Sequence, residues 1–312
     1  MQRTANPRTA VRFRFRPPRS LGRACLTWFA PLVFVVALGV CANPVPAQQL
    51  VHFPSADDNG PGAPATTLDG YLYRAPGDGP HAALVGLHGC SGMFRPTTGQ
   101  VSSNYRAWAT ELGRYGWDLL MVDSLRPRNH GEMCSITGFD PEIYRKRSND
   151  AYGALRYLQT QPSVRADRIA VIGWSQGGGV ALTVIDAASA AGSSADFRAA
   201  VAFYPGRCAP GRRSASWTTA VPLLVLLGEA DVWTPAAPCE TFLDGAAARG
   251  SAIASVIYPG AYHAFDSPSQ RLIERPEYRT RAGVVPVLGT DPAARQDALQ
   301  RVPAFLAPFL GT

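Results

Sequence analysis

Three residue types that can pass one proton between them occur in a fixed chain order: Ser175, then Asp231, then His263. Ser175 lies in Gly173-Trp174-Ser175-Gln176-Gly177, a G-x-S-x-G pattern behind the compact apolar run Ile169 to Gly173. The run reads as a buried strand and the glycine-rich sequence after it as a tight turn into a helix. Such a turn projects the hydroxyl away from the sheet, and glycines on either side let strand and helix approach without a Cβ clash. The helix N-terminus offers unpaired N–H groups and a positive dipole end to a developing anion. The predicted chemistry is attack by an activated hydroxyl. The bland alternative is a glycine-rich turn carrying a bystander serine.

A serine hydroxyl is a weak nucleophile and needs a base. The chain has His52, His81, His88, His130 and His263. His263 follows an apolar run that ends at Tyr258 and comes late in the chain, where the order Ser, acid, His places the base. His88, at a strand end beside Gly89, is expected to brace its loop. The acid that orients the imidazole is expected behind the run Val221 to Leu227, where Gly228-Glu229-Ala230-Asp231 offers two carboxylates. Asp231 is preferred, because the chain must run past the strand end before a side chain can reach the histidine; Glu229 is the alternative. An oxyanion needs two backbone N–H donors. Gln176 is expected to supply one and Cys90, in His88-Gly89-Cys90-Ser91-Gly92, the other, with Ser91 next.

Met93, Phe94, Trp174 and Trp233 neighbour these candidates and are expected to wall the pocket, with core packing as the alternative. Apolar walls favour an uncharged, partly apolar substrate. Arg126 and Arg128 read as surface charges, with contact to a substrate carboxylate as the alternative.

These residues need a scaffold that brings them together. Apolar runs at 67–74, 82–87, 118–122, 169–173, 199–203, 221–227 and 253–258 alternate with helical patterns at 105–115, 142–161, 180–188, 237–248 and 292–310. Buried strands alternating with helices imply an α/β fold, with a mostly parallel central sheet and helices on both faces. In such sheets reactive groups collect at the carboxyl ends of strands. Residues 67–312 are therefore expected to form one domain behind a surface arm at 48–66.

Residues 1–47 read as a signal peptide. Seven arginines and no acid precede the apolar stretch Leu26 to Val40, and Val45-Pro46-Ala47 offers small residues for cleavage. An uncleaved anchor and lipidation at Cys41 stay open. The leader also carries the charge: the chain as a whole is +7, but from residue 48 onward 23 basic residues face 23 acidic ones. The basic balance thus gives no support for nucleic-acid binding. The expected location is outside the cytoplasm, periplasmic or extracellular.

Cysteine usage agrees with export. Cys90, Cys134, Cys208 and Cys239 remain beyond the leader, an even number. Cys208 with Cys239 is preferred, because each follows one of two successive strands at the same sheet edge; Cys90 with Cys134 is then the other pair. Buried free thiols are the alternative. No C-x-x-C spacing or histidine cluster points to zinc.

The sequence resembles the dienelactone hydrolase family of the α/β-hydrolases. The matching pieces are His-Gly-Cys-Ser-Gly at 88–92, Asp-Ser-Leu-Arg-Pro-Arg at 123–128, Gly-Trp-Ser-Gln-Gly-Gly at 173–178, Gly-Glu-Ala-Asp at 228–231 and Tyr-His-Ala-Phe-Asp at 262–266. They span roughly residues 68–310. The resemblance implies an α/β-hydrolase fold, a triad of Ser175, Asp231 and His263, and hydrolysis of small-molecule esters or lactones through an acyl-enzyme, without metal or cofactor. The family's namesakes resemble G-x-C-x-G at the elbow, whereas position 175 here is serine. A peptidase or acyltransferase on the same scaffold, and a catalytically silent binding protein, are the competing readings.

Overall fold

Apolar side chains alternate along the central strands, and the alternation sorts them into two cores, one on each sheet face. The computed structural model describes residues 48–311 except 58, 60–61, 137–139, 189–196 and 220. The expected signal peptide, 1–47, lies outside the described residues. In β3 (His81–Leu87) and β5 (Val164–Trp174), Ala83, Val85, Leu87, Ile169 and Val171 face one core. That core is closed by α2 (Pro141–Gln159), α3 (Gln176–Val184) and α4 (Ala236–Ala248). Ala82, Leu84, Ala170 and Ile172 face the other core, under α1 (Ser103–Gly113) and α5 (Pro292–Leu310).

Six further strands complete the eight-stranded sheet: β1 (Gln48–Pro54), β2 (Thr67–Tyr73), β4 (Trp117–Asp123), β6 (Ala200–Phe203), β7 (Leu223–Gly228) and β8 (Ile253–Tyr258). The spatial order is β1-β2-β4-β3-β5-β6-β7-β8. The β1–β2 and β2–β4 pairs are antiparallel; every pairing from β4 through β8 is parallel. The expected α/β architecture is therefore present, with the parallel strands from β4 to β7 buried on both faces and β8 at the partly exposed edge. Asp140 and Asp291 cap α2 and α5 by accepting backbone N–H groups, each with a proline as the first helical residue. Among the described residues no helix is long and apolar enough to cross a membrane.

Three elements differ from the sequence reading. The first part of the expected surface arm, Gln48–Pro54, is an edge strand. Its alternating Val51 and Phe53 turn inward, and Phe53 stacks on Tyr157 with ring centroids 5.2 Å apart. The helix expected from Val180 begins at Gln176, so Gly177, Gly178 and Gly179 are helical despite their low propensity. Finally, a small hairpin of β9 (Ile273–Glu274) and β10 (Val287–Leu288) occupies a stretch with no sequence signal.

Disulfides join Cys208 to Cys239 and Cys90 to Cys134, the two expected pairs. Two such bonds are compatible with an oxidising compartment.

Candidate active site

The elbow behind β5 is built by close approach. A Cβ on Gly173 would lie 2.3 Å from the Gly177 carbonyl oxygen, and one on Gly177 would lie 2.0 Å from that of Leu87. Any side chain at either position would push α3 off the sheet. Ser175 between them adopts φ 54°, ψ −116°, a conformation that costs an L-residue energy and is sustained only by surrounding structure. Its backbone is held on both sides: the N–H donates to the Phe203 carbonyl, and its own carbonyl accepts from Gly206 at 2.8 Å. The hydroxyl is left to point off the sheet.

His263 meets it there. The Ser175 Oγ lies 3.0 Å from His263 Nε2, and His263 Nδ1 lies 2.7 Å from Asp231 Oδ2. The tautomer that satisfies both contacts has Nδ1–H donating to the carboxylate and Nε2 accepting from the hydroxyl. Asp231 and His263 are both buried, and Ser175 is half-buried. Asp231 also accepts the N–H groups of Trp233 and Thr234 on Oδ1 and the Thr234 hydroxyl on Oδ2. Burial opposes ionisation of Asp231 most strongly, but His263 and the Thr234 donors outweigh it, so the carboxyl's pKa is held below the usual range. Glu229, the alternative acid, is exposed and accepts the Gly260 N–H instead.

The two candidate oxyanion residues lie near Ser175, one next to it in the chain and one in the lining of the same cavity. Gln176 is the first residue of α3, so its N–H has no carbonyl partner one turn back within the helix. Cys90 lines the cavity beside Ser175. Its loop is pinned to the 133–134 segment twice, by the disulfide to Cys134 and by the Met133 N–H donating to the Cys90 carbonyl at 2.7 Å. Ser91, the alternative donor, also lines the cavity. His88 braces this loop as expected: burial pushes its pKa well below the usual imidazole value, Nδ1 lies 2.7 Å from the Gly89 carbonyl oxygen, and Nε2 accepts from the Ser124 N–H.

The cavity over Ser175 has a volume of about 220 Å³. Of the four expected wall residues, Trp174 and Trp233 line it. Met93 and Phe94 do not: Met93 is fully buried in the core under α1, and Phe94 pairs with Val101 across a tight turn that carries it away. There Phe94 packs edge-on against Tyr71 and lies beneath the Arg126 guanidinium, 3.3 Å from its ring centroid. Arg128 is not a surface charge. Its guanidinium is buried between Asp57 and Asp150, at 2.9 Å and 2.6 Å. Neither Arg126 nor Arg128 reaches the cavity; the arginine that does is Arg275, with Tyr278 and Leu288, all in or beside the unforeseen hairpin.

A second missed feature lies beneath the site. Asp266, fully buried, accepts the Tyr204 hydroxyl at 2.6 Å, the Trp108 and Trp174 indole N–H groups at 2.8 Å each, and the Asn104 amide at 3.2 Å. Every partner is a donor, the pattern an ionised carboxylate satisfies. Asn104, Trp174 and Tyr204 all line the cavity, so one carboxylate ties three of its walls together. Tyr204 also packs on the His263 ring, with centroids 4.4 Å apart. Burial, and then Asp266, drive the Tyr204 phenol well above its ordinary pKa, keeping it a donor. The sequence signals were slight: Asp266 closes the motif at 262–266, and Tyr204 follows a strand end. Asp266→Ala strands four buried donors, so stability is expected to fall by on the order of 4 kcal/mol. A urea titration checks this through the unfolding midpoint; an unmoved midpoint contradicts the hub.

Comparison with known proteins bears on family and fold. A model of the dienelactone hydrolase family matches residues 130–310, more than half of the chain. No match was found among curated proteins. Among solved structures, the chain is similar to a dienelactone hydrolase-like promiscuous phosphotriesterase from metagenomic libraries (TM-score 0.62, 19% identity, 86% of this chain and 100% of that one). It is also similar to esterase 2 of Thermogutta terrifontis, phosphorylated by paraoxon (TM-score 0.56, 17% identity, 86% and 97%). A third is the dienelactone hydrolase of Anabaena variabilis (TM-score 0.54, 17% identity, 86% and 100%). At these identities the structures speak for a common fold, and the family match carries the assignment: the chain belongs to the dienelactone hydrolase family.

Proposed function

We propose that this protein is a serine hydrolase that cleaves small carboxylic esters or lactones through an acyl-enzyme on Ser175. The observation that carries the reading is the relay Ser175–His263–Asp231, with contacts of 3.0 Å and 2.7 Å, in the wall of a cavity. In the proposed cycle Ser175 Oγ attacks the ester carbonyl carbon while His263 Nε2 takes its proton. The carbonyl oxygen, now negative, accepts the N–H groups of Gln176 and Cys90. Collapse breaks the bond to the alcohol oxygen, which receives the proton from His263. Water then attacks the acyl-enzyme with His263 again as base, releasing the acid and restoring the serine. Asp231 keeps the imidazole in the productive tautomer and stabilises the imidazolium.

The cavity supports a small substrate. Its volume of about 220 Å³ lies below the 300–1,000 Å³ typical of sites for drug-sized ligands. Trp174, Tyr204 and Trp233 give it aromatic walls. Action outside the cytoplasm, after removal of residues 1–47, fits the disulfides.

A series of p-nitrophenyl esters from acetate to dodecanoate, together with fluorophosphonate labelling mapped by mass spectrometry, tests this reading. The expected result is a label on Ser175 and kcat/KM at least about tenfold higher for acetate or butyrate than for dodecanoate, since a cavity of about 220 Å³ has no room for a long acyl chain. Folded protein that neither labels nor turns over any ester contradicts the proposal.

A further inference from the structure

We propose that Arg147 is a positioning residue of the oxyanion hole, clamping its two halves together from behind; this rests on the hydrolase reading above. Arg147 lies in the middle of α2, and none of its surface is exposed. Its guanidinium reaches two loops that belong to different parts of the chain. Nη2 donates to the His88 carbonyl oxygen at 2.5 Å, and Nη1 donates to the Gln176 side-chain oxygen at 2.5 Å. His88 stands two residues before Cys90, in the loop that carries one candidate N–H donor. Gln176 carries the other donor on its own backbone. One rigid, planar group therefore ties both donors to the same helix.

The choice of residue is informative. Both hydrogen-bond acceptors are neutral, and a buried guanidinium held by neutral acceptors alone is costly. The carboxylate one turn further along α2, Asp150, has both oxygens engaged by Arg128. A core arginine of this kind adds nothing to packing that a leucine or methionine would not supply more cheaply. What it adds is a fixed separation between the β3 loop and the α3 N-terminus. The separation matters because N–H donors act only within a few tenths of an ångström of the oxyanion position. His88 completes the mounting: it is buried, its Nδ1 lies 2.7 Å from the Gly89 carbonyl oxygen and 3.4 Å from Arg147 Nη2, and its Nε2 accepts from the Ser124 N–H.

Arg147→Met and Arg147→Lys test the clamp, with kcat and KM measured on p-nitrophenyl acetate and on its thiono analogue, whose sulfur accepts hydrogen bonds poorly. Loss of one oxyanion donor costs about 10²–10³ in kcat, so misplacing both is expected to lower kcat for Arg147→Met by about 10²-fold. KM should stay within about threefold, and Arg147→Lys, which keeps the charge and one bond, should fall between. The preference for the oxygen ester over the thiono ester should shrink in step with kcat. A purely structural arginine would lower activity without touching that preference.

Folded variants with unchanged kcat, or a loss confined to KM, or an unchanged oxygen-to-sulfur preference, overturn the proposal. If Arg147→Met does not fold, Arg147→Lys decides by the same preference. Native protein that labels at Ser175 while the variants behave as wild type removes the clamp alone. Native protein that neither labels nor turns over ester removes the hydrolase reading, and the clamp with it.

Discussion

Ser175→Ala is expected to lower kcat for p-nitrophenyl acetate by about 10⁵- to 10⁶-fold, to the residual rate that binding and an oxyanion hole provide alone. The reason is the geometry: the hydroxyl sits 3.0 Å from the His263 imidazole, the one imidazole that lines the cavity among the described residues. The same change should leave the fold intact. Ser175 precedes α3 but makes no side-chain capping bond, and alanine at φ 54° meets the same backbone strain as serine. The lost contact to His263 is worth about 1 kcal/mol. Purified Ser175→Ala should therefore unfold within a few degrees of the native protein. It should also fail to label with a fluorophosphonate. Turnover above about 1% of native in a folded variant would remove Ser175 from the mechanism.

The second large effect is expected at the acid. Asp231→Asn should lower kcat by about 10³- to 10⁴-fold. The substitution keeps shape and most hydrogen bonds, but an amide can turn its NH₂ toward His263 and favour the tautomer with the proton on Nε2. That proton faces Ser175, so the imidazole can no longer accept from the hydroxyl. The effect is one of orientation and charge rather than of acid titration. Burial raises the Asp231 pKa, but His263 and the Thr234 donors outweigh it and hold it below the usual carboxylate value, so the group is ionised at neutral pH. Its ionised form stabilises the folded state above the unfolded carboxyl's pKa, and that contribution is lost only as pH falls through the lower folded value. Neutral-pH kinetics therefore read the triad alone. Glu229→Gln is the control, because the Glu229 side chain faces solvent and accepts the Gly260 N–H; its kcat should stay within about threefold of native. Equal losses at the two positions would reopen the choice of acid.

Ser175, His263 and Asp231 were legible as candidates that could meet because each stands behind an apolar run, and a parallel sheet collects such positions at one edge. Ser175 has the additional mark of glycines whose Cβ atoms have no room. Glu229 and Asp231 differ by only two residues, and the sequence preference for Asp231 rested on reach; the turn after β7 places it 2.7 Å from the imidazole. Strand-order reasoning also reached the Cys208–Cys239 pair, and Cys90–Cys134 followed as the pair left over. Proximity in sequence proved a poor guide to the pocket walls. Met93 and Phe94 adjoin the oxyanion loop in the chain, yet one is core and the other is carried off by a turn. Residues 48–54 were hidden as a strand because Val51 and Phe53 form only two steps of alternation beside a Pro- and Gly-rich stretch.

What the sequence by itself determined is the chemistry-bearing chain order and the layered fold, since both are written in local periodicity and in steric demands at single positions. What only the tertiary structure decided is the surroundings of that chemistry: the hairpin beside which Arg275 and Tyr278 line the same cavity as Ser175, the Asp266 hub that Tyr204 and Trp174 share, and the Arg147 contacts to His88 and Gln176. The hub and the clamp are built on buried polar groups, Asp266 and Arg147, whose hydrogen-bond partners named above lie from 29 to 162 residues away. A buried charge must find its hydrogen bonds wherever the folded chain offers them, and that search leaves no periodic trace in the sequence.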